Sequence, residues 1–380
     1  MNQGITRVGL THLRIPFKTP LRTPRGEVTV KDAILVSLET GDGRLGLGEC
    51  SPMADGTGPP GSSPSGCWRD LTERIGPSLL ERCADHSEAI ASTASQWVDC
   101  SPLAVAGAET ALWDLLGQAR HASIAEILGA TIEAVARGVE SGLKLGVSPT
   151  VVDLLRSIEL HLDEGYRRVK IAIQPGHDVE FVRAIRDHFG DIPLMVDAHA
   201  SYTEEDEEIF LALDDEDLLM IEQPYPADQL SSLARLQKKL NTPICLDETA
   251  DSPVRLAEAI RLGAGKIVNL KIPWVGGLGP AKKLHDLCMA HGVACWVGTL
   301  PELGIGQMQA IHLGALPNCK YPADIAPSAR WFVDDYTLPR IEFAPDLPGL
   351  FRVPTRPGLG CQINAAMLKH YAVTREEIRL

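Results

Sequence analysis

The feature that most constrains the fold is an alternation of short apolar runs with helical patterns after residue 138. Successive runs begin roughly 25 residues apart, and helix-forming stretches such as 179–188 and 253–262 fill the gaps. Eight strand–helix units at this spacing are typical of a (β/α)8 barrel of about 200 residues. An open doubly wound sheet is the alternative, but it more commonly has about five or six strands. The runs lie near Leu143, Val169, Leu194, Leu219, Ile244, Ile267, Ala294 and Cys319.

The N-terminal segment follows a different pattern. Apolar, β-branched runs at 8–15 and 33–38, and a third at 45–48 after the turn signal Gly41-Asp42-Gly43, predict an antiparallel meander. Residues 51–66 are dominated by Gly, Pro and Ser, which predicts a long mobile loop. The stretch 104–116 is rich in strong helix formers, with Gly117 as a C-terminal stop.

These patterns divide the chain into three parts. Residues 1–130 are predicted to form an α+β capping domain and residues 131–340 the barrel. From residue 341 the repeat is lost, and residues 341–380 are expected to return to the capping domain. The predicted fold class is therefore α/β: a (β/α)8-type barrel with an α+β cap built from the N-terminal segment and the C-terminus.

Composition excludes several classes of function. The chain has 36 Lys and Arg against 50 Asp and Glu, a net charge of −14, which argues against nucleic acid and against an anionic membrane surface. No stretch approaches the length of a transmembrane helix. Nine cysteines, scattered without C-x-x-C pairs, favour a reducing cytoplasm over a disulfide framework or a zinc knuckle.

Charged residues close four consecutive predicted strands. Asp197, Glu222 and Asp247 each end an apolar run, and Lys271 ends the next, one βα unit further along each time. Consecutive strand ends are neighbours around a barrel, and its C-terminal face carries the active site. Each carboxylate alone could cap the following helix, but three in phase would repel one another unless a cation neutralised them. An oxygen-only ligand set suits Mg²⁺.

Three lysines are predicted to face the barrel interior near this cluster. Lys144, Lys170 and Lys271 lie on the first, second and sixth strands. A buried lysine is costly unless it is paired or catalytic. A lysine beside a metal-bound carboxylate is a setting for removal of the proton α to that carboxylate, with the metal stabilising the enediolate.

With these residues in place, the chain resembles the enolase superfamily, muconate-lactonizing-enzyme subgroup, over nearly its whole length. It is most similar to o-succinylbenzoate synthases and N-acylamino acid racemases. The resemblance implies Asp197, Glu222 and Asp247 as Mg²⁺ ligands, Lys271 as an acid/base, and a cap whose loops close over the barrel. The matching motifs are ETALWDLLG from Glu109, VDAHASYT from Val196, IEQP from Ile221, CLDET from Cys245, NLKIPWVGGL from Asn269, ELGIGQ from Glu302 and ADIAPS from Ala323.

The chain departs from the family on the second strand. The family carries K-x-K there, whereas this chain has Lys170-Ile171-Ala172, so the amine that would oppose Lys271 is missing. Lys144 stands where family members usually have a small polar residue. We consider two roles for Lys144, a relocated base and an electrostatic partner of a carboxylate. Lys170 is expected to lower the barrier electrostatically.

The surviving residues favour a Mg²⁺-dependent lyase, a dehydratase similar to o-succinylbenzoate synthase, because an elimination can use one lysine as both base and acid. The alternatives are a racemase, epimerase or cycloisomerase that uses Lys144, and a catalytically reduced member that binds a carboxylate ligand. The substrate is expected to be a small carboxylate, and the resemblance implies a homo-oligomer. The residues predicted to contact substrate are Arg22, Arg25, His199, Asn269 and Glu302.

Overall fold

The computed structural model describes residues 4–23, 26–54, 58–59 and 61–380. In them the chain forms a four-stranded antiparallel sheet, a seven-stranded parallel sheet and two small two-stranded sheets. The strands are β1 (Ile5–Thr23), β2 (Gly26–Thr40), β3 (Leu45–Cys50), β4 (Val139–Glu140), β5 (Leu143–Leu145), β6 (Val169–Ala172), β7 (Leu194–Asp197), β8 (Ile221–Glu222), β9 (Ile244–Leu246), β10 (Ile267–Leu270), β11 (Ala294–Val297), β12 (Thr337–Leu338), β13 (Leu350–Phe351), β14 (Gln362–Ile363) and β15 (Ala372–Arg379).

Helices connect the strands of the parallel sheet and pack on the antiparallel one. Single turns of 3-10 helix at Glu204–Asp206 and Glu248–Ala250 follow two of the barrel strands. The α-helices are α1 (Pro64–Arg69), α2 (Gly76–Leu79), α3 (Ser87–Ala94), α4 (Pro102–Arg120), α5 (Ile124–Leu128), α6 (Ile132–Arg137), α7 (Val151–Leu162), α8 (Val179–Phe189), α9 (Glu207–Asp214), α10 (Leu230–Lys239), α11 (Pro253–Leu262), α12 (Leu278–Ala290), α13 (Gly304–Gly314), α14 (Ser328–Trp331) and α15 (Ala365–Tyr371).

The N-terminal sheet has the strand order β15-β1-β2-β3 and is antiparallel throughout, which confirms the predicted meander. The C-terminal strand β15 pairs with β1, so the end of the chain returns to its beginning. Helix α4 lies directly on β3. A Cβ at Gly48 would come within 1.9 Å of the Gly107 carbonyl oxygen, so this close approach of helix and strand requires glycine.

The parallel sheet runs in the order β11-β10-β9-β8-β7-β6-β5 and closes through an irregular eighth segment. The amide of Asp324 donates to the carbonyl of Val297 at 3.0 Å, and the amide of Gly142 donates to the carbonyl of Ala323 at 2.8 Å. The fold class predicted from the 25-residue repeat, a barrel with an α+β cap, is therefore confirmed. The eighth apolar run, near Cys319, contributes an isolated bridge to Cys295 rather than a strand.

Alternation along the barrel strands sorts the interior into two layers. Side chains two residues apart share a face, so four of the five apolar residues of the lower layer lie beneath a polar residue of the upper layer. The lower layer is a hydrophobic cluster separate from the main core, made of Met195, Met220, Cys245, Ile267 and Trp296. The residues two positions after the first four of these are Asp197, Glu222, Asp247 and Asn269.

Two local predictions were wrong. Gly117 does not end α4, which continues to Arg120; the glycine is needed because a Cβ there would lie 2.5 Å from the Cα of Gly358. The predicted 51–66 loop ends three residues early, because Ser63 caps α1 by accepting from the amide of Gly66 and Pro64 occupies the first turn of the helix; residues 55–57 and 60 of this loop lie outside the described residues. Across the described residues, no helix combines the length and apolarity that crossing a membrane would need.

Candidate active site

Three carboxylates meet at the C-terminal mouth of the barrel, as the strand-end spacing predicts. Asp197 and Glu222 are paired in register on β7 and β8, and Asp247 follows β9 directly. One oxygen from each lies within 4.8 Å of the others, and all three side chains are buried. Burial raises the pKa of Asp247 to about 6, against the opposing charge of Lys271. Such a group of buried like charges is stable only with cations beside it.

Lys170 supplies one of those cations. Its Nζ donates to Glu222 Oε2 at 2.5 Å and lies 2.8 Å from Asp197 Oδ2, with the side chain almost completely buried. Burial opposes its charged form, but the carboxylates of Asp197, Asp324 and Glu222 outweigh burial and raise the pKa of Lys170 well above its ordinary value. The amine is therefore a permanent positive charge, which fits the electrostatic role expected of it.

Lys271 supplies the second cation, on the opposite side of the triad. Its Nζ donates to Asp247 Oδ2 and lies 4.5 Å from the centre of the Trp274 ring. Burial again opposes the charged form, and the carboxylates of Asp247 and Glu248 outweigh it and raise the pKa of Lys271. Among the described residues, the ion pair of this amine is with Asp247 alone, whereas Lys170 is paired with several carboxylates.

A fourth buried carboxylate, Asp324, belongs to the cluster and was missed in the sequence. Its Oδ1 accepts from Arg168 at 2.6 Å, and its Oδ2 lies 3.4 Å from Lys170 Nζ and 3.8 Å from Lys144 Nζ. Lys170, Arg168 and Lys144 outweigh burial and hold its pKa below the ordinary value. The strand-end signal could not find it because it follows no regular strand; the ADIAPS motif contains it.

Two predicted substrate-binding residues are at the triad. Asn269 Nδ2 donates to Glu222 Oε1 at 2.7 Å. His199 Nδ1 is 3.2 Å from Asp197 Oδ1, and its side chain is 45% exposed, so the ring faces the mouth. The His199 backbone has φ of +46°. Because non-glycine residues seldom adopt this conformation, it marks a loop shaped for the site.

Of the other three predicted substrate contacts, the structure describes the side chain of Glu302 alone. Arg25 lies outside the described residues, and the Arg22 side chain is also outside them, although its backbone belongs to β1. Glu302 is buried, and the charges that most affect it are those of Lys31 and Glu49 near the N-terminal sheet. Its placement at the cap–barrel contact gives no support to a direct role in substrate binding.

The donor set fits a hard divalent cation. Three carboxylates from adjacent strands offer oxygens alone, which is the ligand type that Mg²⁺ prefers. Asp247 Oδ1 is buried and makes no hydrogen bond with any part of the chain that the structure describes. Since a buried acceptor without a partner is costly, this oxygen is consistent with a ligand position.

Comparison with known families agrees with this geometry. Residues 5–129 match the family described as mandelate racemase / muconate lactonizing enzyme, N-terminal domain, and residues 153–367 match the one described as enolase C-terminal domain-like. The chain belongs to the enolase superfamily. A solved structure of a superfamily member from Listeria innocua superposes with a TM-score of 0.91 at 33% identity, covering 99% of each chain.

Curated relatives in this superfamily are enzymes. An o-succinylbenzoate synthase from Geobacillus stearothermophilus is 37% identical over 371 residues, covering 97% of this chain and 96% of the relative. An N-succinylamino acid racemase from Amycolatopsis is 37% identical over 359 residues, with 94% of each chain covered. As a member of this family the chain is an enzyme, a lyase or an isomerase, and the predicted family resemblance is confirmed.

Proposed function

We propose that the protein is a Mg²⁺-dependent enzyme that removes the proton α to a carboxylate, and that its main reaction is an elimination of water like that of an o-succinylbenzoate synthase. The observation that carries the proposal is the pairing of Lys271 with one carboxylate of the buried triad. This geometry holds a potential base next to the position where a substrate carboxylate would meet the cation.

In this proposal Asp197, Glu222 and Asp247 hold the cation. When bound, a divalent cation supplies positive charge that stabilises the negative charge developing on the substrate carboxylate. Asn269 donates a hydrogen bond to one oxygen of Glu222, and the His199 ring lies beside one oxygen of Asp197. These two side chains therefore keep two of the three ligand carboxylates in place. Their role is to hold the carboxylate oxygens and, for His199, to present a ring nitrogen to the mouth.

Lys271 acts as the base. Its raised pKa comes from the carboxylates around it, and Asp247 is the first of these. Burial favours the neutral amine, so a cation that offset the charge of those carboxylates would shift Lys271 towards the neutral form that can accept a proton. Lys170 stays charged between Asp197 and Glu222 and stabilises negative charge at the mouth without moving a proton.

Elimination is the reaction that these groups support best. After taking the α-proton, the Lys271 ammonium can deliver it to a leaving hydroxyl on the same face of the substrate. No second base is then required. Because the chain is similar to both a synthase and a racemase, 1,1-proton transfer is the second candidate function. The observation that favours it is that Lys144, a further amine at the mouth, is only loosely paired with Asp324.

The test is turnover of the o-succinylbenzoate precursor with Mg²⁺ in D₂O, followed by ¹H NMR. We expect loss of water in the wild-type protein and none in Lys271→Met. A matched control is Lys282→Met, which removes a lysine paired with Asp286 on α12, away from the triad. The proposed elimination is wrong if the precursor is unchanged by the wild-type protein, or if Lys271→Met turns it over at the wild-type rate.

A further inference from the structure

The three lysines of the mouth differ in how tightly they are held. Lys170 and Lys271 have side chains 1% and 9% exposed and close carboxylate partners. Lys144 is 29% exposed, and its recorded ion pair is with Asp324 Oδ2 at 3.8 Å. That oxygen is already shared with Lys170, and the other oxygen of Asp324 accepts from Arg168. Lys144 is therefore the amine with the loosest ion pair.

Strand register places Lys144 on the inner face. It is in register with Lys170 on the neighbouring strand, and in-register residues of a parallel sheet point to the same side. Lys170 points inward, since it reaches Asp197 and Glu222. Lys144 therefore points inward as well, and burial together with the charges of Lys170 and Lys271 lowers its pKa.

Barrel closure places Lys144 across the mouth from Lys271. Counting around the ring, β5 is separated from β10 by four strands in one direction, and by β11 and the segment containing Asp324 in the other. The two amines therefore approach the centre of the mouth from different sides. A substrate carboxylate held between them would present opposite faces of its α-carbon to Lys144 and Lys271.

The space in front of Lys144 is open. Gly146, two residues further along and on the same face, would meet no atom of the described chain within 4 Å if it carried a Cβ. Ala172, on the inner face of β6, ends in a methyl group and is in register with Asp197. Since neither side chain fills the region above Lys144, the flexible lysine stem has room to reach a bound molecule.

We propose that Lys144 is a second acid/base in this chain, in place of the amine that is missing at Ala172, and that it serves the face of the substrate opposite Lys271. This inference rests on the proposed function for the site and for Lys271. Lys271 takes the α-proton and the C–H electron pair passes into the enediolate. The Lys144 ammonium then donates its proton to the opposite face, and the electron pair returns to form the new C–H bond. Both amines return to their starting state by exchange with water.

The test uses both enantiomers of N-succinylphenylalanine with Mg²⁺ in D₂O. ¹H NMR follows the α-proton, and chiral chromatography follows configuration. The wild-type protein should exchange the α-proton of both enantiomers and interconvert them. Lys144→Met should lose racemisation by about 10²-fold or more and exchange one enantiomer only; Lys271→Met should exchange the other only. A structural or purely electrostatic role would not produce this crossed pattern.

Two further variants keep the test decisive. Lys282→Met should behave like the wild-type protein. The double variant Lys144→Ser, Ala172→Lys returns an amine to β6 and should regain exchange of both enantiomers, which excludes a folding defect at Lys144 as the cause of the loss. In every variant, a retained rise of melting temperature with Mg²⁺ shows that the metal site is folded.

The outcomes separate this inference from the proposed elimination. If Lys144→Met still racemises at the wild-type rate, or if the wild-type protein dehydrates the o-succinylbenzoate precursor but exchanges only one enantiomer, the role of Lys144 is overturned and the elimination stands. If the wild-type protein reacts with neither kind of substrate, both are overturned.

Discussion

The protein buries two charged clusters, and they satisfy their charges in different ways. At the barrel mouth, carboxylates are paired mainly with lysine and arginine side chains. In the second cluster, made of Lys31, Glu49 and Glu302 and called here the junction cluster, Glu49 accepts from the amides of Leu303 and Gly306 at 2.8 and 3.1 Å and from Tyr336 Oη at 2.7 Å. Ser51 Oγ, just after β3, also donates to Glu49, so the hydrogen-bond partners of Glu49 are neutral groups from both the cap and the barrel parts of the chain.

Lys31 is likewise held by neutral hydrogen-bond partners. Its Nζ donates to the carbonyls of Ser51 and Pro52, both at 3.1 Å, and the side chain is completely buried. Fixed, neutral backbone groups hold a charge in one place and cannot exchange protons with it at ordinary pH. At the barrel mouth, by contrast, charged amines share the carboxylate oxygens. A bound cation can replace an amine at such an oxygen, and an amine can transfer its proton. The contrast indicates that the junction cluster joins the cap to the barrel and that the mouth carries the chemistry.

The largest expected effect is a difference in turnover between variants of two buried lysines, Lys271 at the mouth and Lys31 in the junction cluster. Lys271→Met should reduce turnover of the o-succinylbenzoate precursor by about 10²- to 10⁴-fold, because the base of the proposed elimination is lost. Lys31→Met should lower the melting temperature but leave the remaining folded protein active. The measurement is turnover per folded molecule, with the folded fraction taken from circular dichroism. Equal losses of turnover in the two variants would remove the distinction between the clusters.

The next effect concerns stability. Glu49→Ala should lower the free energy of unfolding by about 3 kcal/mol or more, since several buried donors lose their acceptor. Glu49→Gln keeps one acceptor oxygen and should lose less. Urea unfolding measures both. A loss of less than about 1 kcal/mol for Glu49→Ala would mean that the backbone donors form hydrogen bonds with water instead. The junction cluster would then not hold the cap and the barrel together.

Mg²⁺ should stabilise the protein through the mouth alone. At a free concentration a hundred times the dissociation constant, binding to the native state adds about 2.7 kcal/mol. Asp247→Asn removes a triad carboxylate and should abolish the rise in melting temperature, whereas Glu49→Gln should retain it. Thermal scans over a Mg²⁺ series provide the measurement. A Mg²⁺ effect that survives in Asp247→Asn would place the cation elsewhere.

The smallest effect is a pH dependence of the junction cluster. Burial, partly offset by Lys31, raises the pKa of Glu302 to about 8 from an ordinary value of 4.5. The folded state therefore holds a proton that the unfolded state releases, so this contribution is complete below pH 4.5 and is lost as the pH rises to about 8. The wild-type protein should therefore lose stability steadily as the pH rises through that window.

The control for this pH dependence is Glu302→Gln, which cannot ionise. Unfolding free energies of the two proteins at several pH values should diverge as the pH rises, with the wild-type protein losing more stability. Parallel curves would show that Glu302 is already ionised in the folded state at low pH, and that Lys31 neutralises it.

Much of the mouth could be predicted from the sequence. Asp197 and Glu222 end strands, and Asp247 and Lys271 directly follow strands, with one βα unit between each residue and the next, so a regular repeat was enough to place them together. Asp324 could not be found in this way, because the eighth segment closes the barrel without forming a strand. Glu302 was assigned to the substrate, but the structure places it near Lys31, a residue 271 positions earlier in the chain.

The sequence by itself determined the barrel, its cap and the convergence of the triad, because strand period and helix period are local properties that repeat along the chain. Only the tertiary structure decided how tightly each lysine of the mouth is paired. That depends on Asp324, whose carboxylate oxygens are shared by Arg168, Lys170 and Lys144 from other segments of the chain. Ion pairing between distant segments has no local signature, since it follows from how the barrel closes.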